Sequence, residues 1–231
     1  MNILRATSFR FAPVSLINLA LTLAVLFFAA STARAQTSST APALSTTADP
    51  ATVDLVHESL KTGAVSLGFL GGGGAGLGKS DNTQFAYAGG RVGIVLTHEF
   101  LPGLLRGNFE WDFDVLPMYA VLPPSDGVWG GSIRPLIWKW NFTHGKRIAP
   151  YFAAEGGIVF TRDNVPPGDT SQVNFTPGAA FGANFFLKHR RSFFLEGNVG
   201  HLSSASLGNH NPGYNVTFLV TAGFSFFKHT N

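Results

Sequence analysis

The chain has 231 residues, enough for one domain of ordinary size, and no cysteine, which excludes disulfides and thiolate metal sites. Only 13% of its residues are charged, about half the share of an average soluble domain. The net charge is +3, and the bases cluster in short turns rather than along one helix or face, so nucleic-acid binding has no support. Gly at 27 and Phe at 22 make poor helix material and suit strands.

The N-terminus reads as a secretory signal over residues 1–35. Arg5 and Arg10 form a positive start, residues 14–30 an apolar run, and Ala33-Arg34-Ala35 a small-residue cleavage site before Gln36. An uncleaved membrane anchor is the alternative. Residues 36–50 are rich in Thr, Ser, Ala and Pro and read as a flexible leader. Residues 51–61, with Asp54, His57, Glu58 and Lys61, have the makings of a short helix that ends the leader at residue 62.

From residue 63 to 231 the pattern is strands. Eight are expected, at about 63–71, 84–99, 104–121, 127–143, 148–162, 171–187, 191–203 and 214–227. Strand side chains alternate between faces. Phe109, Trp111, Phe113 and Val115 share one face, and Glu110, Asp112 and Asp114 the other. Phe175, Ala179, Phe181, Ala183, Phe185 and Leu187 oppose Asn174, Thr176, Gly178, Gly182 and Asn184. Phe218, Val220, Ala222, Phe224 and Phe226 oppose Thr217, Thr221, Gly223 and Ser225. Large apolar side chains on one side and small or polar ones on the other are the dyad of a transmembrane barrel. The fold expected is therefore all-β, an eight-stranded antiparallel transmembrane β-barrel.

A soluble, lipocalin-like barrel would turn the apolar stripes inward. Eight strands enclose too narrow a lumen for several bulky aromatics from every strand. The second, fourth and sixth connections, at Leu101-Pro102-Gly103, residues 144–147 and residues 188–191, are expected to be short, and the odd-numbered ones long. An even strand number puts both termini on the periplasmic side with the short turns. Trp129, Trp138, Trp140 and Tyr151 are expected in the interfacial girdles.

Three groups of residues invite chemistry. Gly73 to Ser80 fits the phosphate-loop spacing G-x-x-x-x-G-K-S. That motif works only between a strand and a helix. Here a strand with Phe85 and Tyr87 follows, so the segment reads as a glycine-rich outer loop. Arg91, Glu110, Asp112, Asp114, Glu155 and Glu196 fall on the lumenal face by parity. Paired carboxylates can act as acid and base, but in a small closed barrel an ion-pair plug is the expected role. No group of His, Asp and Glu has convincing metal spacing, and His210 stands in a loop.

The third group is His201 and Ser203, which end the stripe Phe193, Leu195, Gly197, Val199. In a membrane barrel that stripe faces lipid, where polar groups are costly and usually functional. A headgroup-level polar pair is the plain alternative to a base and nucleophile.

The run His201-Leu202-Ser203-Ser204-Ala205, then Asn211-Pro212-Gly213-Tyr214-Asn215 and a closing aromatic strand, resembles the lipid A 3-O-deacylase family (PagL-type, also called acyloxyacyl hydrolase). Pro150 to Gly157 and Val173-Asn174-Phe175 extend the likeness to about residues 63–228. The resemblance implies an outer-membrane enzyme, exported through the signal peptide, that hydrolyses the 3-O-acyl ester of lipid A in lipopolysaccharide without a cofactor. It implies Ser203 as nucleophile, His201 as general base, Asn215 as third member and Ser204 as oxyanion donor. Two departures stand out. Asn215 replaces the family's Glu and cannot stabilise an imidazolium by charge, and by parity it falls with Thr217 on the lumenal side. An irregular residue after Gly213 would instead turn Asn215 outward. Ser204 replaces the family's Asn, and Ser206 its Gly. A non-catalytic barrel with a structural or adhesion role is the alternative these departures favour.

Overall fold

The computed structural model describes residues 53–77, 82–122, 127–166, 171–188, 190–208 and 214–229. The expected signal peptide and most of the leader lie outside the described residues, as do Lys79, Ser80, His210 and the Asn211-Pro212-Gly213 run.

A single turn of helix, α1 (Leu55–Ser59), precedes nine strand segments. They are β1 (Ala64–Gly76), β2 (Gln84–Val95), β3 (Gly107–Leu122), β4 (Val128–Phe142), β5 (Ile148–Val165), β6 (Ser171–Phe175), β7 (Gly178–Lys188), β8 (Arg191–Leu202) and β9 (Tyr214–His229). Every pairing is antiparallel, β4 pairs with β5, and β9 returns to β1, so the sheet closes. β6 and β7 are two halves of one stave, because both pair with β5. The result is the expected eight-stranded antiparallel transmembrane barrel. The stave breaks at Thr176-Pro177, where proline has no N–H to give a ladder.

Burial follows the period of two. Glu110, Asp112 and Asp114 are buried, while Phe109 and Val115 are exposed. Thr217, Thr221 and Ser225 are buried between exposed Phe218, Phe224 and Phe226. Polar side chains thus share the lumen with a buried cluster that includes Phe85, Tyr87 and Tyr119, while Phe109, Phe218, Phe224 and Phe226 face outward, which is a membrane barrel's polarity and the inverse of a soluble one.

The lumen is plugged by ions. Arg91 grips Asp114 with two hydrogen bonds, from Nε at 2.7 Å and Nη2 at 3.1 Å, and Nη1 lies 3.5 Å from Glu196. Arg134 joins Asp114 at 3.1 Å to Glu155 at 3.4 Å. Lys139 bridges Asp112 at 2.7 Å and Glu110 at 3.0 Å. Arg91, Lys139 and the three acids of β3 are among the groups that bind β2, β3, β4 and β8 across the interior.

Three expectations need correction. Tyr151 is not in a girdle: it is 1% exposed, and its hydroxyl donates to Glu196 at 2.9 Å. It alternates in phase with buried Ala149 and Ala153, so parity outweighs its aromatic character. Residues 71–76 are wall rather than loop, and 71–75 pair with both β2 and β9. A Cβ on Gly72 would lie 2.7 Å from the Tyr87 ring, so the bare backbone makes room for a lumenal aromatic. The connection after β2 runs over residues 96–106 and is not a tight turn. There the Thr97 hydroxyl accepts the Phe109 N–H at 2.9 Å, and Gly103–Leu105 forms a 3-10 turn.

Helix α1 packs at the rim that carries the described chain ends. Asp54 caps it by accepting the His57 N–H at 2.9 Å. Leu55, Val56 and Leu60 are buried with Val95, Ala149, Phe186 and Phe227. Asn108 donates to the Leu60 carbonyl at 2.7 Å, which pins the helix to β3.

Candidate active site

β8 starts at the rim of the chain ends and runs to the opposite rim, where Leu202 closes it. Along its last turns Asn198 is 4% exposed, Val199 52% and Leu202 2%. Gly200, His201 and Ser203 are half-buried, while Leu202 and Ser204 are buried. The register with the neighbouring stave runs unbroken from Gly178–Gly200 to Phe175–Ser203, which carries the strand's parity to its end. His201 and Ser203 lie on the outward face, in phase with Val199, as parity predicts. Two residues apart on one face, their Cα atoms are spaced by about 6.6 Å.

Neighbouring backbone holds both positions. The Ser203 N–H donates to the Phe175 carbonyl at 3.1 Å, and the Phe175 N–H donates to the Ser203 carbonyl at 2.7 Å. The His201 N–H donates to the Pro177 carbonyl at 3.0 Å. The broken stave β6/β7 is thus the splint of the site. A single strand over 171–187 was expected, and the signal that marks the break is Pro177, a proline inside a strand-like run.

Beyond Ser203 the chain makes a tight turn. The Leu207 N–H donates to the Ser204 carbonyl at 3.0 Å, with Ala205 at φ 48° and Ser206 at φ 65°. Both central residues are left-handed, as in a type I′ turn, which favours Gly, Asn and Asp. The turn brings the Ala205 N–H to 3.4 Å from Ser203 Oγ. Ser204 is 2% exposed, on the opposite side of the strand from Ser203.

The strand on the other side of His201 is irregular. Gly200 pairs with Thr217 and Leu202 with Tyr214, so the register slips by one between them. Two residues, Asn215 and Val216, stand opposite one, His201. That is a β-bulge. Parity counted back from Thr217 does not cross it, so the lumenal assignment of position 215 does not follow from the strand pattern.

Behind the site lies a cavity of about 30 Å³ in the lumen. Arg134, Glu155, Asn198 and Thr217 line it, and the Gly200–Leu202 segment borders it. Asn198 donates to Glu155 there. Among the described residues no group of three or more His, Asp or Glu side chains is placed to hold a metal ion. The first half of the former phosphate-loop candidate is spent on the ladder, since Gly73 to Ala75 are paired on both sides.

A sequence model of the family lipid A 3-O-deacylase (PagL) matches residues 104–222. No curated protein matches the chain. Among solved structures, the N-terminal β-barrel domain of Pseudomonas aeruginosa OprF is 14% identical, with a TM-score of 0.44 over 72% of this chain and 98% of that one. The outer-membrane enzyme PagL is 18% identical, with a TM-score of 0.42 over 71% and 98%. OprG from Pseudomonas aeruginosa is 10% identical, with a TM-score of 0.41 over 75% and 99%.

Proposed function

Because this chain belongs to the lipid A 3-O-deacylase (PagL) family, we propose that it is an outer-membrane serine esterase that removes the acyl chain ester-linked at position 3 of lipid A. The observation that carries this reading is the outward projection of His201 and Ser203 at the rim opposite the chain ends. With the ends periplasmic, as in barrels of even strand number, that rim meets the outer leaflet, where lipid A resides.

His201 takes the proton of the Ser203 hydroxyl, which makes a weak nucleophile competent. Ser203 Oγ then adds to the ester carbonyl carbon, and the carbonyl oxygen takes up the negative charge. The Ala205 N–H, which donates to Ser203 Oγ at 3.4 Å, is the nearest candidate donor to that charge, whereas Ser204, the donor the resemblance implies, is buried on the other side of the strand. Collapse breaks the bond to the sugar oxygen, which receives the proton from His201. Water then attacks the acyl-serine, gives its proton to His201, and frees the fatty acid as Ser203 is reprotonated. Asn215, in the bulge opposite His201, is the third member. Its amide oxygen can accept from the imidazole N–H and hold a tautomer. No step calls for a cofactor or metal.

The test is mass spectrometry of lipid A from Gram-negative cells expressing the protein. Lipid A should lose one 3-hydroxyacyl chain with the wild type, and none with Ser203→Ala or His201→Ala. Both variants should keep the heat-modifiable gel mobility of a folded barrel. Intact lipid A in cells holding folded wild-type protein would overturn the proposal and leave a non-catalytic barrel.

A further inference from the structure

The exposed bases are distributed very unevenly between the two rims. Among the described residues, only Arg162 is an exposed Lys or Arg near the rim that carries His201 and Ser203. The rim of the chain ends has seven. Lys61 and Lys228 sit at the seam of β1 and β9, and Arg106 ends the connection before β3. Lys146 and Arg147 lie in the β4–β5 turn, and Arg190 and Arg191 in the β7–β8 turn. Against them stand Asp54, Glu58 and Glu99, of which Glu99 lies 3.6 Å from Arg106 and 3.2 Å from His57.

The bases are spaced around the whole circumference. Following the sheet order, they occupy the seam and every connection at that rim. Three of them, Arg106, Arg147 and Arg191, adjoin exposed apolar surface. Leu104 and Leu105 are 76% and 59% exposed beside Arg106, and Ile148 is 47% exposed beside Arg147. The Arg191 guanidinium lies 5.9 Å from the ring centre of Phe226, a side chain of the outward apolar belt. Such side chains lay their stems on apolar surface and hold their charge at headgroup depth.

From this juxtaposition we propose that the ring of bases at the chain-end rim is a binding collar for anionic phospholipid headgroups of the leaflet it enters. Phosphate is the ligand chemistry, and lipid is its source. A ring that borders the apolar belt on all sides matches annular lipid, whereas a polyanionic wall polymer or an acidic protein would match a one-sided patch. The collar is independent of the esterase reading, and neither depends on the other.

The experiment compares spin-labelled phosphatidylglycerol with spin-labelled phosphatidylcholine on the full chain in phosphatidylcholine bilayers. The wild type should prefer phosphatidylglycerol. The triple variant Arg147→Gln, Arg190→Gln, Arg191→Gln should lose that preference, by up to about fivefold for each base removed. Arg162→Gln, at the opposite rim, should keep it. Raising ionic strength on the wild type should weaken the preference as the triple variant does, which reads the same quantity should that variant fail to fold. Equal association of the two lipids with the wild type, or a preference untouched by salt, would overturn the proposal. So would a triple variant that keeps its lipid preference while losing affinity for isolated peptidoglycan.

Discussion

Asn215 is where this chain departs most sharply from its family's triad, and it occupies the extra position of a bulge. On the proposed function, an amide in that place would add no charge to the imidazolium. In a serine protease the acid-to-amide change costs about 10⁴ in rate. Asn215→Glu should therefore raise the turnover of lipid A, by about tenfold or more, measured as fatty acid released by the purified barrel. No gain with a folded variant would mean that position 215 does not serve His201. His201 and Ser203 were legible because the apolar stripe ends on them. For Asn215 an irregularity after Gly213 was one of two open readings, and parity could not choose, because a bulge depends on how β9 pairs with β8.

At the scale of elements, the wall is shaped by pairs of very large and very small residues on adjacent strands. β1 keeps Gly72 bare beneath the Tyr87 ring, and β7 keeps Gly182 bare beneath Tyr151, where a Cβ would stand 2.6 Å from the ring. Gly72→Val should cost about 1–3 kcal/mol by overpacking, read as a lower urea midpoint in detergent. A change near zero would show that the ring relaxes freely. Strand extents were readable from alternation, and β3, β7, β8 and β9 follow it closely. The glycine run of β1 was misread as loop because its partners, not its own residues, explain it. Tyr151 was misread because aromatic identity was set above phase. The break between β6 and β7 was missed although Pro177 signals it, and the role of the break in holding His201 and Ser203 needs the neighbouring strand.

At the scale of the whole molecule, the barrel is tied together through its lumen and offers function on its outside. Arg91 sits at the hub, within ion-pair distance of Asp112 at 3.7 Å, Asp114 at 2.7 Å and Glu196 at 3.5 Å. Arg91→Met should destabilise the barrel by about 3–5 kcal/mol, since it strands buried carboxylates. Equilibrium unfolding in detergent reads this, and an unchanged midpoint would mean that the acids find other partners. The plug was foreseeable from parity alone, because every one of its acids falls on the lumenal side of its strand. With the lumen plugged by ion pairs, the proposed function requires a lipid substrate to meet the protein from the bilayer and Ser203 to be accessible from there. An alkyl fluorophosphonate presented in the bilayer tests that claim most directly, with peptide mass spectrometry locating the adduct. A single adduct on Ser203 that disappears in His201→Ala is the expected result. No adduct on Ser203, or one that forms equally without His201, would contradict the account.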